Sequence, residues 1–132
     1  DQQDLTLLGV DPDDRFGTAL AAADLDDDGK PEVIAGAERG DGPDNRRQDA
    51  GETYLVRGSA ALPATLDMAL GAHKAIVFGQ RSGDKLSASL AATDWDGDGR
   101  FDLLLGAPFA DGPGDRTDCG AAYVIRGTSL LK

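Results

Sequence analysis

Apolar residues in this chain fall in short segments, each cut off by glycine, proline, aspartate or serine. In the first half the segments are Leu5–Gly9, Thr18–Ala23, Glu32–Ala37 and Gly51–Arg57. In the second half they are Ala75–Gly79, Ala88–Thr93, Asp102–Ala107 and Gly120–Arg126. Short apolar runs bounded by turn formers predict β-strands. Glu32-Val33-Ile34-Ala35 and Thr53-Tyr54-Leu55-Val56 have the β-branched and aromatic content that suits a pleated surface. Thr18–Ala23 is alanine-rich and its local propensity leans to helix. An isolated helix that short is marginal in water, and the strand–turn–strand context predicts a strand. Ala37–Gly51 and Ala107–Gly120 read as long polar loops with Gly-Pro or Pro-Gly turn signals.

The eight segments are two sets of four. Shifted by 70 residues, Leu5-Thr6-Leu7-Leu8-Gly9 falls on Ala75-Ile76-Val77-Phe78-Gly79, and Asp14-Arg15-Phe16-Gly17 on Asp84-Lys85-Leu86-Ser87. Asp24–Gly29 falls on Asp94–Gly99, Gly36-Ala37 on Gly106-Ala107, and Asp41-Gly42-Pro43 on Asp111-Gly112-Pro113. The shift then becomes 69, so that Gly51 meets Gly120, Tyr54 meets Tyr123 and Arg57-Gly58 meets Arg126-Gly127. One residue has been gained or lost in a loop, where indels are tolerated. The chain therefore reads as an internal repeat, residues 1–70 and 71–132.

Charge refines the picture. Asp and Glu number 24 against 13 Lys and Arg, a formal charge of −11. Such a balance argues against a nucleic-acid binder, whose footprint is a basic patch, and against docking on anionic lipid. No run approaches the ~18 apolar residues of a membrane-spanning helix, so no membrane insertion is expected. Glycine, at 18 residues, is roughly twice the usual ~7% and points to many tight turns. One cysteine, Cys119, excludes an internal disulfide framework and a cysteine-based zinc site. One histidine, His73, makes a histidine-dependent catalytic centre improbable, and no enzyme activity is expected. The chain opens on Asp1 with no initiator methionine or signal peptide, which leads to the expectation of a processed, excised or trimmed chain.

Nine of the acids form two clusters: Asp24, Asp26, Asp27, Asp28 and Glu32, then Asp94, Asp96, Asp98 and Asp102. Each occupies a nine-residue loop with acids at positions 1, 3, 5 and 9 and glycine at position 6, Gly29 or Gly99. Calcium requires six to eight oxygen ligands on a flexible scaffold. Alternate residues of a tight loop aim carboxylates inward, and the backbone carbonyl at position 7, Lys30 or Arg100, adds another oxygen. Four carboxylates packed this closely repel one another strongly without a cation. Two Ca²⁺ per chain are therefore expected. The rival twelve-residue loop of an EF-hand or dockerin needs an acid at position 12, where this chain has Ala35 and Leu105.

These motifs resemble the FG-GAP repeat, the blade of the β-propeller of integrin α subunits and many bacterial extracellular proteins. Repeat one carries Phe16-Gly17, the loop Asp24–Glu32 and Gly36-Ala37-Glu38. Repeat two carries Leu86-Ser87, the loop Asp94–Asp102 and Gly106-Ala107-Pro108. Glu32 replaces the usual Asp at position 9 and Asp27 the usual Gly at position 4, so the second site is expected to be the more regular. The resemblance implies an all-β fold of two four-stranded antiparallel, calcium-stabilised blades, part of or assembling into a larger propeller. It further implies a secreted or cell-surface module for recognition or adhesion with protein or glycan ligands. An architectural assembly unit and an ancillary domain of a secreted polysaccharide-active enzyme are the alternatives.

The remaining residues receive blander readings. Arg39-Gly40-Asp41 spells an integrin-ligand tripeptide, but its counterpart is Phe109-Ala110-Asp111, and coincidence is the reading adopted. Trp95 stands where repeat one has Leu25 and is expected to pack between blades. Cys119 is expected to be a small buried or incidental thiol, and His73 a surface residue. Arg57 and Arg126 follow the fourth strand of each repeat, and a structural pairing with a nearby acid is expected. The second blade lacks an outer strand, since its equivalent, Leu5–Gly9, sits at the other end of the chain. Partners are thus expected to be other copies of the chain, forming a cyclic ring, or the remaining blades of a longer propeller.

Overall fold

The computed structural model describes residues 4–127; the outer limits of the two repeats, residues 1 and 132, lie outside these. Among the described residues the elements are nine strands and two single-turn 3-10 helices. The strands are β1 (Thr6–Leu8), β2 (Phe16–Ala23), β3 (Glu32–Ala37), β4 (Glu52–Val56), β5 (Thr65–Asp67), β6 (Ala75–Phe78), β7 (Ser89–Thr93), β8 (Asp102–Ala107) and β9 (Ala121–Ile125). The fold is all-β, two propeller blades.

The first blade is the antiparallel sheet β2-β3-β4-β6 and the second is β7-β8-β9. Blade and repeat are thus offset by one strand, because β6, which opens the second repeat, completes the first sheet. The alanine-rich segment is strand β2, two residues longer than expected, with a register break between Phe16 and Ala19. Pairing on β3 overrides the helical preference of alanine there. The second sheet has three strands, not four; among the described residues nothing pairs on the far edge of β9.

One further element departs from the sequence reading. β5, unforeseen, pairs in parallel with β1 in the register Thr6–Thr65, Leu7–Leu66, Leu8–Asp67. The N-terminal strand is therefore held by its own chain along one edge. A 3-10 turn, Met68–Leu70, follows, with Asp67 accepting from the Ala69 N–H at 2.9 Å.

Two apolar layers hold the assembly. Ile34, Leu55, Ala23 and Leu25 on one face of the first blade meet Leu86, Leu103, Leu105 and Ala107 of the second. On the opposite face, Ala37, Tyr54, Val56 and Met68 pack with Leu7, Leu66 and Ile76. β4 is consequently buried along its whole length. Glycines permit close approach: a Cβ on Gly51 would lie 2.1 Å from the Leu86 carbonyl oxygen, toward the second blade, and one on Gly79 1.9 Å from that of Ala50, where the β4–β6 pairing ends. Ser87 takes the left-handed conformation held by Gly17 in repeat one. It sits fully buried, with its hydroxyl on that of Thr53 across the blade interface.

Candidate metal centre

The first acidic loop joins β2 to β3 and the second joins β7 to β8. Each is wound by its own carboxylates. Asp24 accepts the N–H groups of Asp28 at 3.1 Å and Gly29 at 2.8 Å. Asp94 accepts those of Gly97 at 2.8 Å, Asp98 at 3.1 Å and Gly99 at 3.0 Å. Asp28 and Asp98 each turn back onto the N–H two residues on, at Lys30 and Arg100, both at 2.9 Å. Glycine at position 6 has φ of +84° at Gly29 and +87° at Gly99, a conformation that L side chains resist.

Position 9 opens the next strand in both loops and is buried there. Glu32 is fully buried; its Oε2 accepts the Leu25 N–H at 2.9 Å, and among the described residues its Oε1 has no hydrogen-bond partner. Asp102 is buried too, but both oxygens are engaged, by the Trp95 N–H at 3.0 Å and the Gly127 N–H at 3.1 Å. Carboxylate oxygens of Asp24, Asp26 and Glu32 converge within 4.8 Å of one another, as do those of Asp94, Asp96 and Asp102. Positions 1, 3 and 9 are thereby brought together, while Asp28 and Asp98 stand outside these two sets. Lys30 pairs with Asp28 at 3.8 Å, and Arg100 reaches Asp27 of the other loop at 3.2 Å.

A buried carboxylate oxygen without a donor is costly unless a cation faces it. A buried Glu32 with an orphaned Oε1, its carboxylate converging with those of Asp24 and Asp26, fits a hard oxygen-seeking cation such as Ca²⁺. Side chains at positions 1, 3 and 9 would hold the ion in each loop.

The loops differ in their cations. Arg57 reaches Asp26 at 3.1 Å and Arg126 reaches Asp96 at 3.2 Å, so the two repeated arginines pair with the loop acid at position 3, as expected. Asp26 receives a second cation, Lys74 at 2.6 Å, and the ammonium beside it holds its carboxyl below the usual carboxylate range. Lys74 was not foreseen; its place just ahead of β6 was the available signal. Asp27 has positive φ, as Gly97 has at the same position.

Matching of the FG-GAP repeat model covers residues 16–56 and 87–125. The chain belongs to the FG-GAP repeat family. It is 35% identical over 117 residues to mouse phosphatidylinositol-glycan-specific phospholipase D, covering 86% of this chain and 12% of that protein. It is 31% identical over 118 residues to Drosophila melanogaster integrin alpha-PS2, covering 87% of this chain and 8% of that protein. Against Caenorhabditis elegans integrin alpha pat-2 the figures are 30% over 116 residues, 85% and 9%. The FG-GAP chain thus spans about an eighth or less of these relatives.

Other singled-out residues of the FG-GAP chain fall as follows. Trp95 is 64% exposed, against 4% for Leu25. The second blade covers Leu25, and among the described residues none packs over Trp95 in the same way. Cys119 is exposed, not buried. His73 is half-buried, its ring edge-on to Tyr54 at 5.8 Å. Gly40 is buried and Asp41 accepts the Asp49 N–H at 2.9 Å, so Arg39-Gly40-Asp41 is folded into its loop. Nearby, buried Glu52 accepts from Gly42 at 3.0 Å and from the Tyr54 hydroxyl. Burial, reinforced by Glu52, pushes the Tyr54 phenol up, and burial with Glu52, Asp11, Asp41 and Asp49 pushes the Asp14 carboxyl up to about 6. Of these acids, Asp14 and Asp41 recur in the second repeat as Asp84 and Asp111, whereas Asp11 and Glu52 align with Arg81 and Ala121 and carried no repeat signal. Among the described residues no helix is long and apolar enough to cross a membrane.

Proposed function

We propose that the chain is a calcium-binding propeller module of an extracellular protein, serving recognition or adhesion toward a protein or glycan ligand and not catalysis. The convergence of the Asp24, Asp26 and Glu32 carboxylates, with Glu32 fully buried and its Oε1 unpartnered among the described residues, carries the calcium reading. The repeated cluster at Asp94, Asp96 and Asp102 supports a second ion. Dissociation constants near 10⁻⁴–10⁻³ M are usual for extracellular modules. At a hundredfold excess, linkage adds about 2.7 kcal/mol per site. Calorimetry is expected to count two Ca²⁺ per chain, falling to one in Asp24→Ala and in Asp94→Ala, with a lower melting temperature on chelation. No heat and no melting shift would overturn the reading.

Against catalysis stand the single His73 and Cys119, which lie in no nucleophile–base arrangement. Turnover of a polysaccharide abolished by Asp96→Ala, with calcium binding intact, would contradict it. The likeness to a phospholipase D favours a second reading, an ancillary domain of an enzyme. A glycan array or pull-down that captures a ligand on the isolated chain supports recognition in its own right.

A further inference from the structure

Of the three carboxylates that converge in the first loop, Asp24 and Glu32 accept backbone N–H groups. Asp26 differs: among the described residues it alone of the three is paired with side-chain cations. Its Oδ1 accepts the Asp28 N–H at 3.2 Å, and its Oδ2 takes both Arg57 at 3.1 Å and Lys74 at 2.6 Å. The two cations are unequal. The Arg57 side chain is 58% exposed and the Lys74 side chain 21%, against 13% for that of Asp26. Water and salt therefore screen the arginine more than the lysine.

The sheet places Lys74. It stands one residue ahead of β6, and its N–H donates to the Leu55 carbonyl at 2.7 Å, just past the last β4–β6 pair, Leu55–Ala75. Its backbone is thus tied to β4, and the ammonium reaches from there to a loop acid 48 residues away. In the repeat register Lys74 corresponds to Asp4, a residue of opposite charge, whereas Arg57 recurs as Arg126. The arginine belongs to the pattern that both repeats share; the lysine is an addition to it.

We propose that Lys74 is an internal counter-cation of the first loop, whose ammonium competes with Ca²⁺ for Asp26 and sets the affinity of that site. The inference rests on the calcium reading and deepens it. An ion held by Asp24, Asp26 and Glu32 shares Asp26 with the ammonium, and the two positive charges repel. Without the ion, the same ammonium offsets the mutual repulsion of the three carboxylates. Lys74 therefore weakens the site for calcium and makes the loop less dependent on it. Neutralising Lys74 reverses both effects. Neutralising Arg57 has the same sign and a smaller size, because that side chain is the more exposed.

The test is a calcium titration of the full chain, followed by NMR at two backbone amides. Gly29 and Gly99 donate to the first aspartate of their loops, at 2.8 and 3.0 Å, and so report the two sites separately. In Lys74→Met and Lys74→Gln the midpoint at Gly29 is expected to fall to at least about tenfold lower calcium, with the midpoint at Gly99 unchanged. Lys74→Arg keeps the charge and is expected to keep the midpoint of the unmodified chain. Both neutral variants are expected to melt lower than the unmodified chain in chelator and to gain more from saturating calcium. An unchanged or raised midpoint at Gly29 in the neutral variants, or a higher melting temperature in chelator, would overturn this proposal alone. So would an equal fall in Lys74→Arg, which would trace the effect to packing and not to charge. No response of either amide to calcium in any variant would overturn the calcium reading, and this inference with it.

Discussion

β4 and β9 are repeat equivalents with opposite surroundings. Residues 51–58 read Gly-Glu-Thr-Tyr-Leu-Val-Arg-Gly and residues 120–127 Gly-Ala-Ala-Tyr-Val-Ile-Arg-Gly. All five β4 residues are buried, whereas along β9 half-buried and exposed positions alternate. Among the described residues, β4 has strands on both edges and apolar layers on both faces, and β9 has β8 on one edge and the first blade on one face. Strand formation follows local sequence, but burial in a repeat array is a property of nearest neighbours. The second blade is what the first becomes when its neighbour is taken away.

The largest test of this contrast is the glycine that opens each strand. Gly51 has φ +87° and a Cβ there would lie 2.1 Å from the Leu86 carbonyl oxygen, a backbone atom of the next blade. At Gly120, φ is +76° but the nearest atom, the Pro108 carbonyl oxygen, is 3.3 Å away. Both alanine variants bear backbone strain of about 1–2 kcal/mol; Gly51→Ala must also part the blades. Urea unfolding is expected to show a loss above about 4 kcal/mol, or no fold, for Gly51→Ala, and about 1–2 kcal/mol for Gly120→Ala. Equal losses would break the contrast between an enclosed and an open strand.

A smaller test concerns Asp14 and its repeat equivalent Asp84, both buried. The Asp84 carboxylate accepts the Arg81 N–H at 3.2 Å. The Asp14 carboxyl is pushed from 3.8 up to about 6, first by burial and then by Glu52 and three further acids. Between those pH values the folded chain binds more protons than the unfolded one, so this group makes stability fall as pH rises. Asp14→Asn is expected to remove that slope, raising stability at pH 7 by about 1–3 kcal/mol and leaving it unchanged below about pH 4. Asp84→Asn weakens a charge-assisted hydrogen bond and is expected to lower stability at pH 7. Melting curves at pH 4 and pH 7 decide it, and a loss at pH 7 in Asp14→Asn would refute the assignment.

What the sequence made legible follows the same division between local and neighbour-dependent features. The loops were readable because Asp24–Glu32 and Asp94–Asp102 build themselves: their side chains bond N–H groups two to seven residues away. The eight strands were readable because short runs between turn formers have few other options. β5 was missed because Thr65-Leu66-Asp67 has no partner nearby in sequence and becomes a strand only beside β1. The different exposure of Trp95 and Leu25 was not legible, because among the described residues only Leu25 has a blade packed over it. Lys74 and Arg100 were not placed on the first loop, since 48 residues separate Lys74 from Asp26 and 73 separate Arg100 from Asp27. The orphaned oxygen of Glu32 likewise depends on packing that no local pattern encodes.

The smallest expected effect lies where the two loops meet. Position 4 of each loop has positive φ, +58° at Asp27 and +78° at Gly97. Glycine adopts this conformation freely, so Asp27→Gly relieves about 1 kcal/mol of strain. Against that, glycine gives the unfolded chain more freedom, an effect of about 0.4–1 kcal/mol. The substitution also deletes the Asp27–Arg100 ion pair, whose side chains are about half exposed and which is therefore worth about 0–1 kcal/mol. The net change is expected to stay within about 1 kcal/mol, its sign set by salt, because screening weakens the pair and not the strain. A double-mutant cycle of Asp27→Gly with Arg100→Ala isolates the pair. It is expected to give a coupling of about 0.5 kcal/mol at low ionic strength and none near 1 M salt. A coupling above about 2 kcal/mol that persists in salt would mean that this bridge, and not the apolar layer beneath it, holds the second blade on the first.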